Sequence, residues 1–243
     1  MQKTELILQS QEALTSSVYR MRLTSRDPIA PLPGQFVNLA LPGLFLRRPI
    51  SVCDFDGHAL TLVYRCVGKG TAYMTQAPNG SRFDALVSLG HGYDLARIPD
   101  GAVLVGGGVG IPPLVYLARA LHEAGKACTA VLGFRNREDV FLADTFAELG
   151  INTVLVTEDG SLGKKGFVTD ALPDSIPYVC ACGPEGMLRA LLRCTPSPAQ
   201  LSLEERMGCG FGACMGCSLE TRDGPRRVCK EGPVFPREVL LWN

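Results

Sequence analysis

Cys209, Cys214 and Cys217 stand at C-x4-C-x2-C spacing, and Cys229 follows after eleven further residues. No other stretch constrains the fold as strongly, because four thiolates so placed must curl round something small. Four thiolates are what a [2Fe–2S] cluster takes, and C-x4-C-x2-C…C is one of its recurring ligand patterns. Gly208, Gly210, Gly212 and Gly216 allow left-handed backbone and bring peptide N–H groups to the sulfurs, where they favour the reduced, more negative cluster. Zinc is the alternative for four thiolates, although structural zinc sites usually hold them as two C-x2-C-like knuckles. Two disulfides suit a reducing compartment poorly. An iron–sulfur centre exchanges single electrons, so the rest of the chain must say where they come from and go.

The composition leaves room for that machinery. With 243 residues, 46% hydrophobic and 20% charged, the chain can bury two ordinary domains and carry a small module. Lys+Arg and Asp+Glu both number 24, so no basic excess points to nucleic acid or an anionic membrane. Cys53, Cys66, Cys128, Cys180, Cys182 and Cys194 are scattered, mostly in apolar runs, as buried free thiols are. That predicts a reducing, cytoplasmic setting. Met1–Gln11 contains charges and no continuous apolar stretch, so no secretory signal is expected. Gly101–Ala118 is uncharged, but its five glycines and Pro112-Pro113 argue against a membrane span.

Residues 1–97 read as short strands between turns. Ser17–Leu23 alternates, with Tyr19, Met21 and Leu23 on one face, and His58–Val67 places Leu60, Leu62 and Tyr64 together. Pro31-Leu32-Pro33-Gly34, Asp56-Gly57 and Asn79-Gly80 are turn signals, and the whole predicts an antiparallel β-barrel. Within it, Arg48-Pro49-Ile50-Ser51 sets a guanidinium and a hydroxyl at the start of a strand. Such an arginine can grip a pyrophosphate bidentately, and such a serine can hydrogen-bond a ring nitrogen. Tyr64-Arg65 followed by Gly68-Lys69-Gly70-Thr71 adds a second arginine and a glycine turn able to form an anion nest. Alone, each reads as a structural turn; on neighbouring strands they support one another.

Residues 98–197 change period. Val103-Leu104-Val105 runs into Gly106-Gly107-Gly108-Val109-Gly110-Ile111-Pro112-Pro113 and then a helix with Leu114, Leu117, Ala118 and Leu121 on one face, stopping at Gly125. Strand, glycine turn and helix place a phosphate on a helix N-terminus. Proline replaces the third glycine of the dehydrogenase fingerprint, as the first helical turn permits. Strands over Thr129–Gly133, Thr153–Thr157 and Tyr178–Cys182 and a helix over Asp139–Leu149 follow, and Cys182-Gly183-Pro184-Glu185-Gly186 opens a last helix. The alternation predicts a doubly wound parallel α/β domain with ligands at the carboxyl ends of its strands. Glu158-Asp159-Gly160-Ser161 falls on that edge, either to take ribose hydroxyls or as a solvated turn. Residues 198–243 form the small cluster module, completing a mixed β and α/β chain.

A barrel with Arg-x-x-Ser followed by an α/β domain with Gly-x-Gly-x-x-Pro and Cys-Gly-Pro resembles the ferredoxin–NADP reductase superfamily. Together with Pro33-Gly34-Gln35-Phe36, Cys182-Gly183-Pro184-Glu185-Gly186-Met187, Glu204-Glu205-Arg206-Met207-Gly208 and the Cys209…Cys229 set, the whole chain resembles the electron-transfer subunits of NAD-dependent bacterial dihydroorotate dehydrogenase, type 1B. The resemblance implies that the barrel binds FAD through Arg48, Pro49, Ile50, Ser51, Val63, Tyr64, Arg65, Gly70 and Thr71. It implies that NAD(H) sits over Gly107, Gly108, Gly110 and Pro113, with Cys182, Gly183 and Pro184 beside it and Cys182 near the nicotinamide. It implies that Cys209, Cys214, Cys217 and Cys229 hold a [2Fe–2S] cluster.

The eleven-residue gap before Cys229 is shorter than in plant ferredoxins, so the module is a clasp and not a ferredoxin domain. Val87-Ser88-Leu89-Gly90, followed by His91-Gly92-Tyr93, stands where members often show Gly-Pro-Leu-Gly. Arg135 after the second α/β strand suits a 2′-phosphate, and the preference for NAD over NADP comes from the family likeness alone. Nicotinamide exchanges two electrons at once and a cluster one, while a flavin does both, so FAD is expected between them. His58, His91 and His122 are the only histidines and none has a catalytic setting, so no acid–base residue is assigned. The resemblance implies a partner: an FMN-containing catalytic subunit that oxidises dihydroorotate, two of each in a heterotetramer, serving UMP synthesis. Electrons would run from FMN through the cluster and FAD to NAD⁺. A related reductase subunit serving a hydrogenase, sulfide dehydrogenase or ferredoxin-linked transhydrogenase is the competing enzyme reading. A zinc-stabilised, flavin-binding redox sensor is the competing non-enzyme reading.

Overall fold

The structure, a computed structural model, describes residues 1–242. Alternating apolar residues build the expected barrel from β1 (Gln2–Ala13), β2 (Val18–Ser25), β3 (Phe36–Leu39), β4 (Arg48–Phe55), β5 (Ala59–Arg65) and β6 (Arg82–Leu89). These close antiparallel in the order β1-β2-β5-β4-β3-β6. Leu6, Leu8, Met21, Leu23, Leu60, Leu62 and Phe83 fill the interior. Each such side chain contributes about 1.5–3 kcal/mol on burial, and a one-residue slip would turn the whole set outward. Tyr19 sits at the rim and stacks on Tyr64 with ring centroids 5.9 Å apart.

The α/β sheet is built on β7 (Ala102–Gly107), β8 (Cys128–Phe134), β9 (Asn152–Thr157), the short β10 (Lys164–Lys165) and β11 (Val179–Cys182). The chain then adds β12 (Ala199–Ser202), a hairpin of β13 (Ser218–Thr221) and β14 (Gly224–Arg227), and finally β15 (Val234–Pro236). The sheet order is β10-β9-β8-β7-β11-β12-β15, parallel except for β15, which runs antiparallel to β12. Of the helices, α1 (Lys69–Thr75) belongs to the barrel, while α2 (Pro112–Glu123), α3 (Ala143–Glu148) and α4 (Glu185–Cys194) belong to the sheet. Residues of α2 and α3 pack on one face of the sheet and Leu188, Leu191 and Leu192 of α4 on the other. From β7 the chain winds outward through β8 to β10, then returns to β11 on the other side of β7. The switch point therefore lies at the carboxyl ends of β7 and β11.

Helix α2 is buried between the sheet and the barrel. Its Arg119 forms an ion pair with Asp54 of β4 at 2.5 Å, and its Tyr116 hydroxyl donates to the Pro31 carbonyl at 2.9 Å. Lys126 Nζ donates to the carbonyls of Leu95 and Ile98 at 2.7 and 2.6 Å, holding the connection between the two parts. Among the described residues no helix is long and apolar enough to cross a membrane.

Three expectations need correction. Gly68–Thr71 is not a free-standing turn but the start of α1, with Gly68 as its N-cap. The helix expected over Asp139–Leu149 is shortened to α3. Leu142 at φ +59° breaks it, because Phe141 turns into the core to meet Phe134 edge-on at 5.7 Å. The strands β12 and β15, within the segment expected as a separate module, instead extend the α/β sheet. The cluster loop thus hangs from the same frame as the glycine turns.

Candidate functional site

A cleft of about 680 Å³ opens between β4, the start of α4 and residues 203–207, with Arg48, Pro49, Gly183, Met207 and Trp242 in its wall. Arg47 is engaged by Asp84, whereas Arg48 Nη1 donates only to the carbonyls of Leu46 and Arg47. The Arg48 guanidinium lies against Gly70, so close that a Cβ there would come within 2.8 Å of Arg48 Cζ. The Thr71 hydroxyl accepts from the Val67 and Gly68 N–H groups at 2.9 and 3.1 Å, fixing the first turn of α1. First-turn N–H groups have no partner within the helix. A guanidinium beside them makes an anion cradle suited to a pyrophosphate.

Arg65, at the end of β5, reaches toward the second domain. Its Nε is buried without a hydrogen-bond partner, and its Nη2 would lie 3.7 Å from a Cβ on Gly108. A stranded buried N–H costs about 1–3 kcal/mol, which an acceptor on a bound ligand would recover. Not every expected residue offers its side chain. Val63 is buried in the core shared with α2, and Ile50 packs on the barrel interior. Tyr64 points into the barrel, where its hydroxyl donates to Gln11 Oε1 at 2.9 Å. The buried Val63 and Tyr64 can meet a ligand through main chain alone, whereas Ile50 is half-buried. Ser51 pairs with Phe36 in the strand next to the cleft.

The two glycine turns meet at the switch point. A Cβ on Gly107 would lie 2.6 Å from Met187 Sδ, and one on Gly110 would lie 2.6 Å from Gly183 Cα. Only hydrogens fit at Gly107 and Gly110, which are brought against Cys182, Gly183, Pro184 and Met187, while Gly108 faces Arg65. Pro112 and Pro113 open α2 directly behind them. Burial pushes the Cys182 thiol up to about 12; a hydrogen bond with Ser202 partly offsets this and the Glu204 carboxylate adds to it. Cys182 is therefore a neutral thiol at pH 7. On the same edge Asp159 Oδ1 accepts from the Ser161 N–H and hydroxyl at 2.9 and 2.6 Å. This is the hydrogen bonding of a solvated turn, and Ser161 holds the Asp159 carboxyl below its usual range. Arg135 follows β8 and is exposed.

The four cysteines form two pairs. Cys209 Sγ accepts from the Ala213 and Cys214 N–H groups at 3.2 and 3.4 Å, and Cys214 Sγ accepts from the Cys209 and Gly216 N–H groups at 3.4 and 3.5 Å. The second pair is made by the β13–β14 hairpin. Its two-residue turn at Arg222-Asp223 returns the chain so that Cys229 N–H donates to Cys217 Sγ at 3.4 Å and Val228 N–H to the Cys217 carbonyl at 3.0 Å. Cys217 and Cys229 are buried, while Cys214, Phe211 and Met215 are exposed. Gly210 and Gly212, at φ +76° and +91°, turn the loop's amides toward the sulfurs. Burial alone would raise the Cys209 thiol, but the N–H groups of Phe211, Cys214 and Ala213 outweigh it and hold it down to about 6. Burial and the neighbouring Cys217 push Cys229 up to about 12. Among the described residues no three His, Cys, Asp or Glu side chains converge as a mononuclear site requires. Two thiolates for each of two irons, with amides already on the sulfurs, is a donor set that fits a [2Fe–2S] cluster.

Several residues of this region escaped the sequence reading. Ser202, beside Cys182, lies in β12, a four-residue strand with little periodicity, and Glu204, read only as part of a motif, follows two residues later. Asp223-Gly224 was a legible hairpin signal. Asn38 of β3, 1% exposed, donates from Nδ2 to the Cys209 carbonyl at 3.1 Å and had no sequence signal at all. His91 straps the segment after the barrel to the module, with its N–H on the Gly232 carbonyl at 2.6 Å and Nδ1 2.7 Å from the Lys230 carbonyl.

Comparison with known proteins agrees with this geometry. A family model described as the iron–sulfur cluster binding domain of dihydroorotate dehydrogenase B matches residues 204–241, and one described as an oxidoreductase NAD-binding domain matches residues 104–193. A chain from the structure of an NADH-dependent reduced ferredoxin–NADP oxidoreductase is similar with a TM-score of 0.87 and 29% identity, covering 98% of this chain and 90% of that one. A cytochrome P450 reductase from Amycolatopsis is similar with a TM-score of 0.69 and 26% identity over 79% of this chain and 65% of its own. The electron transfer subunits of dihydroorotate dehydrogenase B (NAD(+)) from Bacillus mycoides and Bacillus cereus are each 40% identical, over 99% of this chain and all of theirs. At that identity over its full length, the chain belongs to the family of electron transfer subunits of dihydroorotate dehydrogenase B.

Proposed function

We propose that this chain carries electrons from a dihydroorotate-oxidising catalytic subunit to NAD⁺, in the synthesis of UMP. The observation that carries this reading is that three cradles share one frame. Asn38 ties the cysteine loop to the barrel beside β4, and Arg65 bridges from β5 to the glycine turn. When bound, the cluster exchanges one electron, nicotinamide a hydride and FAD either, which makes the flavin the converter.

Arg48, Gly70 and Thr71 hold the FAD pyrophosphate, and Arg65 supplies a second guanidinium. Pro49 and Ser51, with the main chain of Ile50, Val63 and Tyr64, line the place of the flavin ring. Gly107, Gly108, Gly110 and Pro113 seat the nucleotide phosphates, and Cys182, Gly183 and Pro184 border the nicotinamide. The uncharged Cys182 keeps that border free of a competing anion. Cys209, Cys214, Cys217 and Cys229 would hold the [2Fe–2S] cluster, the first two as one pair of thiolates and the last two as the other. No residue of this chain acts as acid or base on an organic substrate.

Residues 1–97 serve FAD, 98–197 the nucleotide and 198–243 the cluster, the last anchored by two strands lent to the sheet. The preference is for NAD over NADP. The partner holds FMN and assembles with this chain as two copies of each in the cytoplasm, meeting it at the exposed face around Phe211 and Met215.

The test is co-purification with the FMN subunit, followed by iron, labile-sulfide and flavin analysis and a dihydroorotate-to-NAD⁺ assay. Two irons and one FAD per chain, with turnover only in the complex, are expected. A preparation with zinc and no iron, or NADH oxidation unaffected by any dihydroorotate-oxidising partner, would refute it.

A further inference from the structure

Asn38 joins parts of the molecule that are 171 positions apart in sequence. Its main chain lies in β3 opposite Pro49 of β4, and its carbonyl accepts from Arg47 Nη1 at 3.3 Å. Its side-chain Nδ2 donates to the carbonyl of Cys209 at 3.1 Å. That carbonyl can only accept, which fixes the amide's orientation and leaves Asn38 Oδ1 buried without a partner. The contact is tight, since a Cβ on Gly210 would overlap the Asn38 amide. Leucine, of nearly the same shape, would fill this place in the barrel wall without stranding an oxygen. Barrel packing therefore does not account for the amide, whereas the grip on Cys209 does. The same cysteine is held twice: its carbonyl by the barrel, its sulfur by the loop's own N–H groups.

Building on the electron-relay reading above, we propose that Asn38 is a positioning residue, fixing the Cys209 peptide and the first cysteine pair against β3, the neighbour of the strand that carries Pro49. It sets the distance and orientation across which the electron passes between cluster and flavin, while binding neither group.

Asn38→Leu and Asn38→Ala both delete the donor, one with a side chain of nearly the same shape and one by truncation, so at least one is expected to fold. Each is assembled with the catalytic subunit and compared with wild type by iron, labile-sulfide and FAD content, electron paramagnetic resonance of the reduced cluster, NADH-to-dye rate and dihydroorotate-to-NAD⁺ rate. The expected result is unchanged cofactor content and NADH-to-dye rate, a changed cluster spectrum, and overall turnover lowered about tenfold or more, as for other groups that orient metal ligands. Wild-type spectrum and turnover in both variants would overturn the inference, as would a parallel fall of both rates, the mark of general damage. Wild-type protein lacking iron would overturn the relay reading itself, a separate outcome read first.

Discussion

Replacing Arg119 by methionine tests whether the barrel steadies the nucleotide turn through α2. Arg119 Nη2 lies 2.5 Å from Asp54 Oδ2, with side chains 32% and 16% exposed, and Asp54 Oδ1 is buried without a partner. Burial raises the Asp54 carboxyl above its usual range, and Arg119 is the strongest influence holding it down. Removing Arg119 leaves that carboxylate stranded. Breaking a fully buried pair in this way costs about 3–5 kcal/mol and an exposed one about 0–1, so this partly buried pair should cost about 2 kcal/mol. In a chain of this size that is a melting point lower by about 4–8 °C. Asp54→Asn removes the charge while its amide oxygen can still accept from the Arg119 guanidinium, and should cost less than about 1 kcal/mol. The pH dependence has a definite sign. A carboxyl whose pKa is raised by folding favours the fold below its unfolded value of 3.8 and loses that contribution as pH rises through the folded value. The Arg119→Met deficit should therefore shrink as pH falls from 7.5 toward 5. Thermal melts followed by FAD fluorescence at several pH values measure it. An Asp54→Asn variant as unstable as Arg119→Met, or a deficit that grows on acidification, would overturn this role for the ion pair.

Four further outcomes are expected. Cys214→Ser should abolish cluster-dependent electron transfer while NADH-to-dye activity persists; loss of both together would make the loop structural. Phe211→Asp should split the complex on size exclusion with cofactors retained, and an intact complex would sink the docking role. Arg48→Met should lose about 2 kcal/mol of FAD binding, roughly thirtyfold in Kd by fluorescence titration, with iron content unchanged. Gly110→Ala drives a Cβ into the Cys182–Gly183 backbone, and should weaken NADH binding at least about tenfold, or about 1.4 kcal/mol, leaving FAD and iron in place.

The barrel and the parallel sheet were legible because their residues obey a period. Met21 and Leu23 face the interior two residues apart, and Leu114, Leu117 and Leu121 line one helix face. The boundaries that failed did so where a tertiary contact outweighed local preference. Phe141 leaves the expected helix to reach Phe134, and Leu142 takes a left-handed conformation to permit it. The glycine turn at Gly68 looked free because nothing in it announces that the Thr71 hydroxyl will fold back on Val67 and Gly68. Alternation put Tyr64 on the face of Leu60 and Leu62, and all three do fill the barrel; what it did not show is that this turns the Tyr64 ring away from the cleft. Alternation gives the phase of a strand, but in a barrel packed on both sides each face is apolar, as Val63 and Tyr64 both being buried shows.

The cysteine loop shows what spatial pairing adds to sequence spacing. In sequence the four thiols group as three and one, a pattern that zinc and iron–sulfur chemistry both tolerate. In space they group as two and two, because β13 and β14 return Cys229 to Cys217 while the Cys209–Cys214 loop closes on its own amides. A single tetrahedral ion draws four sulfurs toward one point, whereas a two-iron rhomb presents two points and asks for a pair at each. The pairs also differ in setting. Cys217 and Cys229 are buried against the hydrophobic core on the α4 side of the sheet, while Cys214 faces outward between Phe211 and Met215. A centre held this way has one end anchored in the frame that also carries the nucleotide turns and the other open to a partner. That asymmetry is what a relay between two subunits requires, and a purely structural knot does not need it.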